Sequence, residues 1–260
     1  MKVFIVHAHP ERRSLNGALT DIAVETLTGA GHEVRVSDLY AMKWKANVDA
    51  DDFGDAASSP LDVVHDSGRA YAGGTLTPDV LAEQEKLRWA DTVILQFPLW
   101  WYSMPAVLKG WVDRVFSYGF GYGVGEHNAT RYGDRFGEGA LQGRRAMLSV
   151  TVGGPEGHYS DRGINGPVDD LLYPIQHGIL FHPGMEVLPP YVLYRAGRLT
   201  PEAFAAAADS WRERLLTLET TAPVPYRVQN AGDYELPEGR LREGLEAPGR
   251  SGFGLHVRAA

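Results

Sequence analysis

The stretch Phe97-Pro98-Leu99-Trp100-Trp101-Tyr102-Ser103-Met104-Pro105 constrains the fold more than any other. A short apolar run, Thr92 to Gln96, precedes it and reads as a buried strand. After it, Met104, Val107, Leu108, Trp111, Val112 and Val115 fall at the spacing of one helical face. Three consecutive aromatics therefore sit where a strand gives way to a helix. Neighbouring side chains diverge, so the three cannot all enter one core, and at least one must line a surface or an interface. In an open α/β sheet, ligands bind in the crevice at the carboxyl ends of the strands. We read the segment as one edge of a site for a flat aromatic ligand.

The remaining pattern supplies the sheet. Val3 to His7 reads as a buried first strand, followed by a loop over Ala8 to Arg13. Ser14 caps a helix whose apolar residues are Leu15, Ala18, Leu19, Ile22 and Leu27, and Gly29 and Gly31 stop it. Glu33 to Ser37 alternates as a short strand. Residues from about Ala46 to Gly74 lack periodicity and read as irregular. Thr77-Pro78-Asp79 starts a helix running to about Ala90, with proline at the first helical position. A loop rich in glycine and aromatics, Tyr118 to Gly143, leads to a buried strand over Arg145 to Thr151. Val168, Leu171, Leu172, Ile175 and Ile179 mark a helix. Met185 to Tyr194 gives a last strand, and Pro189-Pro190 makes it an edge. Thr200-Pro201 opens a final helix with Phe204, Ala208, Trp211, Leu215 and Leu218 on one face. Strands alternating with helices predict an α/β fold: a doubly wound, five-stranded parallel sheet covered on both faces. Residues 1–221 form this domain. Residues 222–260, with four prolines and six glycines, form an extended C-terminal tail that packs on the domain or on a second subunit.

Composition removes several function classes. The formal net charge is −8 with no long Lys/Arg run, which argues against nucleic acid or an anionic membrane as the main partner. The chain has no cysteine, so it can supply no disulfide, thiolate metal site or cysteine nucleophile. The N-terminal apolar run, broken by His7 and His9, is too short for a signal peptide or a membrane span, so the expected location is cytoplasmic. His177 and His182 lie five residues apart, a spacing that does not share an α-helical face, and no third ligand accompanies them. No metal is expected.

Two further junctions converge with the aromatic segment. The first, His7 to Asn16, lacks a G-x-G-x-x-G or Walker pattern. It does offer a helix N-terminus, a hydroxyl and an amide, which suit a phosphate, although Ser14 and Asn16 equally suit plain capping. The second, Thr151-Val152-Gly153-Gly154, lets backbone N–H groups approach a ring edge, or forms a plain turn. The three junctions follow the first, third and fourth strands and would surround one ligand.

Residues 3–9, 14–17, 36–42 and 75–116 resemble the NAD(P)H:quinone oxidoreductase family of DT-diaphorase type. The run from Leu76-Thr77-Pro78 through Gln96-Phe97-Pro98-Leu99-Trp100-Trp101 and Pro105 to Trp111 is the most specific part. Further matches are Leu148 to Thr151, Gly153-Gly154, Tyr159, Tyr173 to Gln176 and Phe253 to Leu255. The resemblance covers nearly the whole chain and weakens at about 46–70, 123–140 and 222–250.

The resemblance implies a flavodoxin-like fold and a homodimer with FAD, rather than FMN, at the subunit interface. NAD(P)H and a quinone would bind alternately at one flavin face, with ping-pong hydride transfer through flavin N5. By position, His9, Arg13, Ser14, Leu15 and Asn16 would meet the FAD phosphates and ribityl chain. Pro98, Leu99, Trp100, Trp101, Tyr102, Thr151, Val152, Gly153 and Gly154 would hold the ring. Tyr159 would hydrogen-bond the flavin and stabilise charge on it. Trp101, Tyr102, Phe120, Tyr122, Gly153, Gly154 and His182 would face the acceptor. Departures from the family pattern are Asn165 at the proton-handling histidine, Trp100 at a glutamine, Val152 at a threonine and Phe204 at an arginine near the adenine. Pro183 stands where a cysteine completes a zinc site in one relative. Asn165 cannot carry a proton near neutral pH, so proton uptake is expected from solvent or through Tyr159. An azo compound, a free flavin or a biosynthetic polyketide quinone are alternative acceptors, and a flavodoxin-like electron carrier is the alternative class.

Overall fold

The computed structural model describes residues 1–258. A parallel sheet carries the fold in the order β2-β1-β3-β4-β5, from β1 (Lys2–His7), β2 (Glu33–Asp38), β3 (Thr92–Pro98), β4 (Arg145–Thr151) and β5 (Glu186–Val187). A further strand, β6 (Tyr191–Leu193), also pairs with β4. Pro189-Pro190 splits the expected last strand into these two pieces, because proline has no N–H to donate. The central strands β1, β3 and β4 are buried on both sides because both sides are covered. Val6, Leu95 and Leu148 enter one core cluster, while Ile5, Ile94 and Met147 enter the other. These rows are in register across β1, β3 and β4.

Helices α1 (Leu15–Gly29) and α6 (Pro201–Leu216) cover one face, where buried Trp211 donates its indole N–H to the Leu19 carbonyl at 2.9 Å. The other face carries α3 (Pro78–Trp89) and α4 (Ala106–Val115). There the fully buried Glu83 accepts from the Trp111 indole at 2.8 Å and from the Ser37 hydroxyl at 3.0 Å, with Lys86 as its ion partner. A buried carboxylate is tolerated because its oxygens are used in this way.

The segment 46–74 corrects the sequence reading. It contains two short 3-10 turns and the helix α2 (Val63–Gly73). Asp62 caps α2 by accepting from the His65 N–H, and left-handed Gly74 ends it. Its polarity is inverted: Val63 and Val64 are exposed, whereas Asp66 and Ser67 are buried. Asp66 accepts from the Ser58 N–H at 2.8 Å and the Ser58 hydroxyl at 2.9 Å. A helix whose buried side is polar leaves no apolar period to detect.

The helix expected through Ile179 also changes character. After α5 (Val168–Ile175) the chain continues as a π-helical turn over Gln176–Phe181. His177 lies within this π turn and His182 follows it. Both contact Phe136, with centroids 4.7 and 4.8 Å away. Among the described residues no group of three His, Cys, Asp or Glu could hold a metal, and no helix is long and apolar enough to cross a membrane.

The tail packs on its own domain. It forms a small hairpin, β7 (Tyr234–Glu235) with β8 (Arg240–Leu241), and buries Tyr226, Arg227 and Gln229. Phe253 of the tail stacks on Tyr173 at 4.2 Å, Tyr173 on His177 at 4.6 Å, and His177 on Phe136 at 4.7 Å. Burial in this stack, helped by His256 and His182, pushes the His177 pKa down to about 3. A base with a lowered folded pKa takes up its proton more readily when unfolded. Stability is therefore lost as pH falls below about 6.5 toward 3. We expect His177→Phe, which keeps the stack, to remove roughly 1–2 kcal/mol of the stability difference between pH 7 and pH 5, as measured by urea unfolding at both pH values.

Candidate active site

The strand order reverses between β1 and β3, so the loops leaving these two strands border a crevice at the carboxyl edge. Three chain segments meet there. The Leu99 N–H donates to the Thr151 carbonyl at 2.9 Å and carries the β3–β4 pairing one step past the strand ends. Beneath the crevice, buried Asn16 engages both ends of its carboxamide with the protein. Its Nδ2 donates to Thr151 Oγ1 at 2.9 Å, and its Oδ1 accepts from Gln96 Nε2 at 2.8 Å. Asn16 thus ties α1 to β3 and β4 and supports the wall instead of lining it.

The aromatic segment forms the other wall. Trp100 and Ser103 exchange backbone hydrogen bonds at 2.9 and 3.0 Å. The two residues between them, Trp101 and Tyr102, have φ of +49° and +62°. This is a tight reversed turn of the kind that normally takes Asn-Gly, because both central residues sit in the left-handed region. For residues with a Cβ that conformation costs about 1–2 kcal/mol each. Trp101 is 95% exposed and Tyr102 52%, so little local packing offsets the cost. Backbone strain of this sort is retained where a ligand uses it. The ring of His9 lies 6.0 Å from that of Trp100, bridging the first junction and the aromatic segment.

The remaining edges are polar or open. Ser14 caps α1, its hydroxyl accepting from the Gly17 N–H at 3.2 Å, and no acidic residue lies in the first turn. That leaves a positive helix end facing the crevice. A Cβ on Gly153 would enter open space, and one on Gly154 would come within 3.0 Å of the Tyr159 ring. The glycine pair therefore leaves room for a flat ring, with Tyr159 beside it. The Tyr102 hydroxyl donates to Asn165 Oδ1 at 3.1 Å, which links the turn to the loop after Tyr159.

His9, Ser14, Leu15, Pro98 to Tyr102, Thr151 to Gly154, Tyr159 and Asn165 are thus brought to one edge of the sheet. Arg13 is not drawn in: its side chain is exposed and paired with Glu11 at 3.2 Å. Phe120 is fully buried against Tyr71 and Phe116 and lies in the core. Tyr122 and His182 share a different cleft, with Val112, Phe116, Gly121 and Ile179. Burial, aided by Arg135, lowers the His182 pKa, so its ring is neutral at pH 7. Sequence reasoning missed the supporting role of Gln96, whose one signal was a polar residue ending an apolar strand. It also missed Ser103, which closes the turn, and Tyr194, whose ring lies 5.8 Å from Tyr159.

These features define a flavodoxin-like protein, and residues 1–215 match the family model described as flavodoxin-like fold. The chain belongs to that family and, within it, to the NAD(P)H:quinone oxidoreductase group. It is 56% identical over 259 residues to the ribosyldihydronicotinamide dehydrogenase-like protein traD of Penicillium crustosum, covering 99% of this chain and 96% of that protein. It is 38% identical over 263 residues to NAD(P)H dehydrogenase [quinone] 1 of Rattus norvegicus, covering 98% and 92%. A crystal structure of a candidate quinone reductase from Klebsiella pneumoniae superposes with a TM-score of 0.96 at 58% identity, covering 99% of each chain. The expected family and fold are borne out.

The strained turn generates a prediction. Trp101→Asn relieves left-handed strain and loses almost no contact, so we expect stability to rise by about 0.5–1 kcal/mol, a gain of about 1–4 °C in Tm, while flavin affinity falls. Thermal melts of the apoprotein and a flavin titration check the two halves.

Proposed function

We propose that the protein is an FAD-dependent NAD(P)H:quinone reductase that works as a cytoplasmic homodimer. The observation that carries this reading is the strained turn, which holds two exposed aromatics at the switch point of the sheet, opposite an open glycine edge. The named relatives support the reaction, and the positive end of α1 suits the phosphates of the cofactor. A bound flavin supplies the two-electron redox chemistry at this edge.

The chain's own residues bind, orient and polarise. Trp101 and Tyr102 present apolar faces to flat rings. The backbone N–H groups at Gly153 and Gly154, with the Tyr159 hydroxyl, face the place where negative charge grows during reduction. Thr151, fixed by Asn16, sets the height of that edge. Asn165 offers a hydrogen bond without titrating near neutral pH, which leaves Tyr159 or solvent to handle the proton.

Spacing supports the second subunit. Val112 and Phe116, beside Tyr122 and His182, lie toward the far end of α4 from the aromatic turn, about 9 and 15 Å along the helix from Ala106. In a two-fold homodimer, Tyr122 and His182 of one copy would face the acceptor at the turn of the other, and each crevice would be completed in return.

Purified protein should be yellow, release FAD on denaturation and oxidise NAD(P)H when a quinone is added. A colourless protein that takes up no flavin would sink the reading. Two impaired variants, Trp101→Asn and Tyr122→Ala, should complement when co-refolded. Random pairing places about a quarter of all sites intact, and recovery near that fraction of activity tests the shared site. Wild-type turnover should be flat between pH 6 and 8, whereas Asn165→His should introduce an inflection near the ordinary imidazole pKa of about 6.5. An unchanged profile in that variant would remove Asn165 from the reaction.

A further inference from the structure

The tail closes a cavity that shares no residue with the crevice. Its volume is about 260 Å³, and five rings line it: Phe136, Tyr173, His177, Tyr234 and His256. Tyr173, His177 and Phe136 belong to the stack that Phe253 caps. Tyr234 and His256 form a second pair, 5.9 Å apart and 17° from parallel, with the Tyr234 hydroxyl 2.9 Å from His256 Nδ1. Burial lowers the pKa of His256, as it does that of His177, so both imidazoles are neutral at pH 7. Walls of this kind take a flat apolar body. The volume lies just below the roughly 300–1,000 Å³ of drug-sized sites, which limits that body to one or two fused rings.

The cavity has one permanent positive charge, and its donors are already aimed. Arg131 of the same loop pairs with Asp134 and Glu138, and Arg227 of the tail with Asp233. Half-buried Arg135, which lines the cavity, pairs with no carboxylate among the described residues. Its Nε donates to Gln229 Oε1 at 2.6 Å, and its guanidinium lies 4.6 Å over the Tyr132 ring. The amide of Gln229 has one possible orientation. A guanidinium only donates, so the oxygen must face Arg135, while Nε2 donates to the Tyr132 carbonyl at 2.9 Å. Gln229 is itself buried and pins one edge of the guanidinium. The two terminal nitrogens make no hydrogen bond among the described residues and present the fork of N–H donors that matches a carboxylate. A part-buried guanidinium gives up hydration that ring stacking returns only in part. A bound carboxylate restores it with two charge-assisted hydrogen bonds. Exposed Glu238, in the turn between β7 and β8, also borders the cavity. Its charge repels an anion there, which leaves the Arg135 end for the carboxylate.

We propose that this cavity is a second small-molecule site, selective for flat aromatic carboxylates. Arg135 binds the anion and the rings hold the apolar body. The proposal goes beyond the reductase reading and does not rest on it.

Calorimetric titration of the purified full chain with 2-naphthoate tests it. Wild type should bind one equivalent per chain. 2-Naphthamide keeps the rings and loses the charge, so it should bind at least about tenfold more weakly, the effect of one charge-assisted hydrogen bond. Arg135→Gln should weaken 2-naphthoate by a similar factor, and Arg135→Lys, which keeps the charge but not the fork, should fall between it and wild type. Glu238→Gln should bind at least as tightly as wild type. Trp101→Asn alters the crevice and should leave the titration unchanged. Absence of binding in wild type overturns the proposal, and binding in Glu238→Gln alone would show that Glu238 occupies the Arg135 fork instead. Equal affinity for the amide removes the anion site. Retained affinity in Arg135→Gln with loss in Trp101→Asn puts the ligand in the crevice and overturns the proposal as well. If Arg135→Gln does not fold, the comparison of 2-naphthoate with 2-naphthamide still decides.

Discussion

One buried carboxamide holds the crevice in shape. Asn16 accepts from Gln96 on β3 and donates to Thr151 on β4 while belonging to the first turn of α1. A parallel sheet brings its strand ends to a common edge but does not fix how they stand relative to the helix that leaves the first strand. Here that relation is set by two hydrogen bonds of 2.8 and 2.9 Å in a place water does not reach. Removing either partner would leave a buried polar end unsatisfied, at a cost of about 1–3 kcal/mol. The positive end of α1, the Thr151 edge and the glycine pair inherit their spacing from it.

Against that stiff base, the aromatic turn is deliberately uncomfortable. The central strands below, β1, β3 and β4, are almost entirely buried. The turn above puts two large side chains into a backbone region suited to glycine and leaves one of them almost bare to solvent. Stability from the core is what allows a local arrangement that no local interaction favours.

The fold was largely legible in the sequence because its elements bury apolar faces with clean periods. β3 and β4 appear as strand-length runs that are mainly apolar, and the Thr77-Pro78 and Thr200-Pro201 signals mark real helix starts. The failures have physical causes. Helix α2 turns a polar side inward, where Asp66 and Ser67 satisfy backbone and hydroxyl groups, so its hydrophobic period vanishes. The π turn at Gln176–Phe181 changes which residues align, and no composition rule anticipates that widening. At the site, the three junctions were visible as strand-to-helix transitions. The reversed turn was not, since Trp-Tyr is the last pair propensity would place there. Nor was the difference between lining and supporting residues. Asn16 looks like a ligand-facing amide by position and proves to be committed to its neighbours. Phe120 and Tyr122 stand two residues apart yet go to the core and to a surface cleft.

The broken last strand also governs how copies of this chain can meet. β5 and β6 are two and three residues long and are separated by prolines that cannot donate. At the opposite edge, β2 carries Glu33 and Arg35, with the Arg35 guanidinium 4.0 Å over the Trp89 ring. Neither margin offers a long, flat ladder to a foreign strand. The molecule is thereby protected from sheet-to-sheet aggregation while exposing bare tryptophan elsewhere. The most exposed aromatic, Trp101, stands instead at the end of the sheet where the crevice opens.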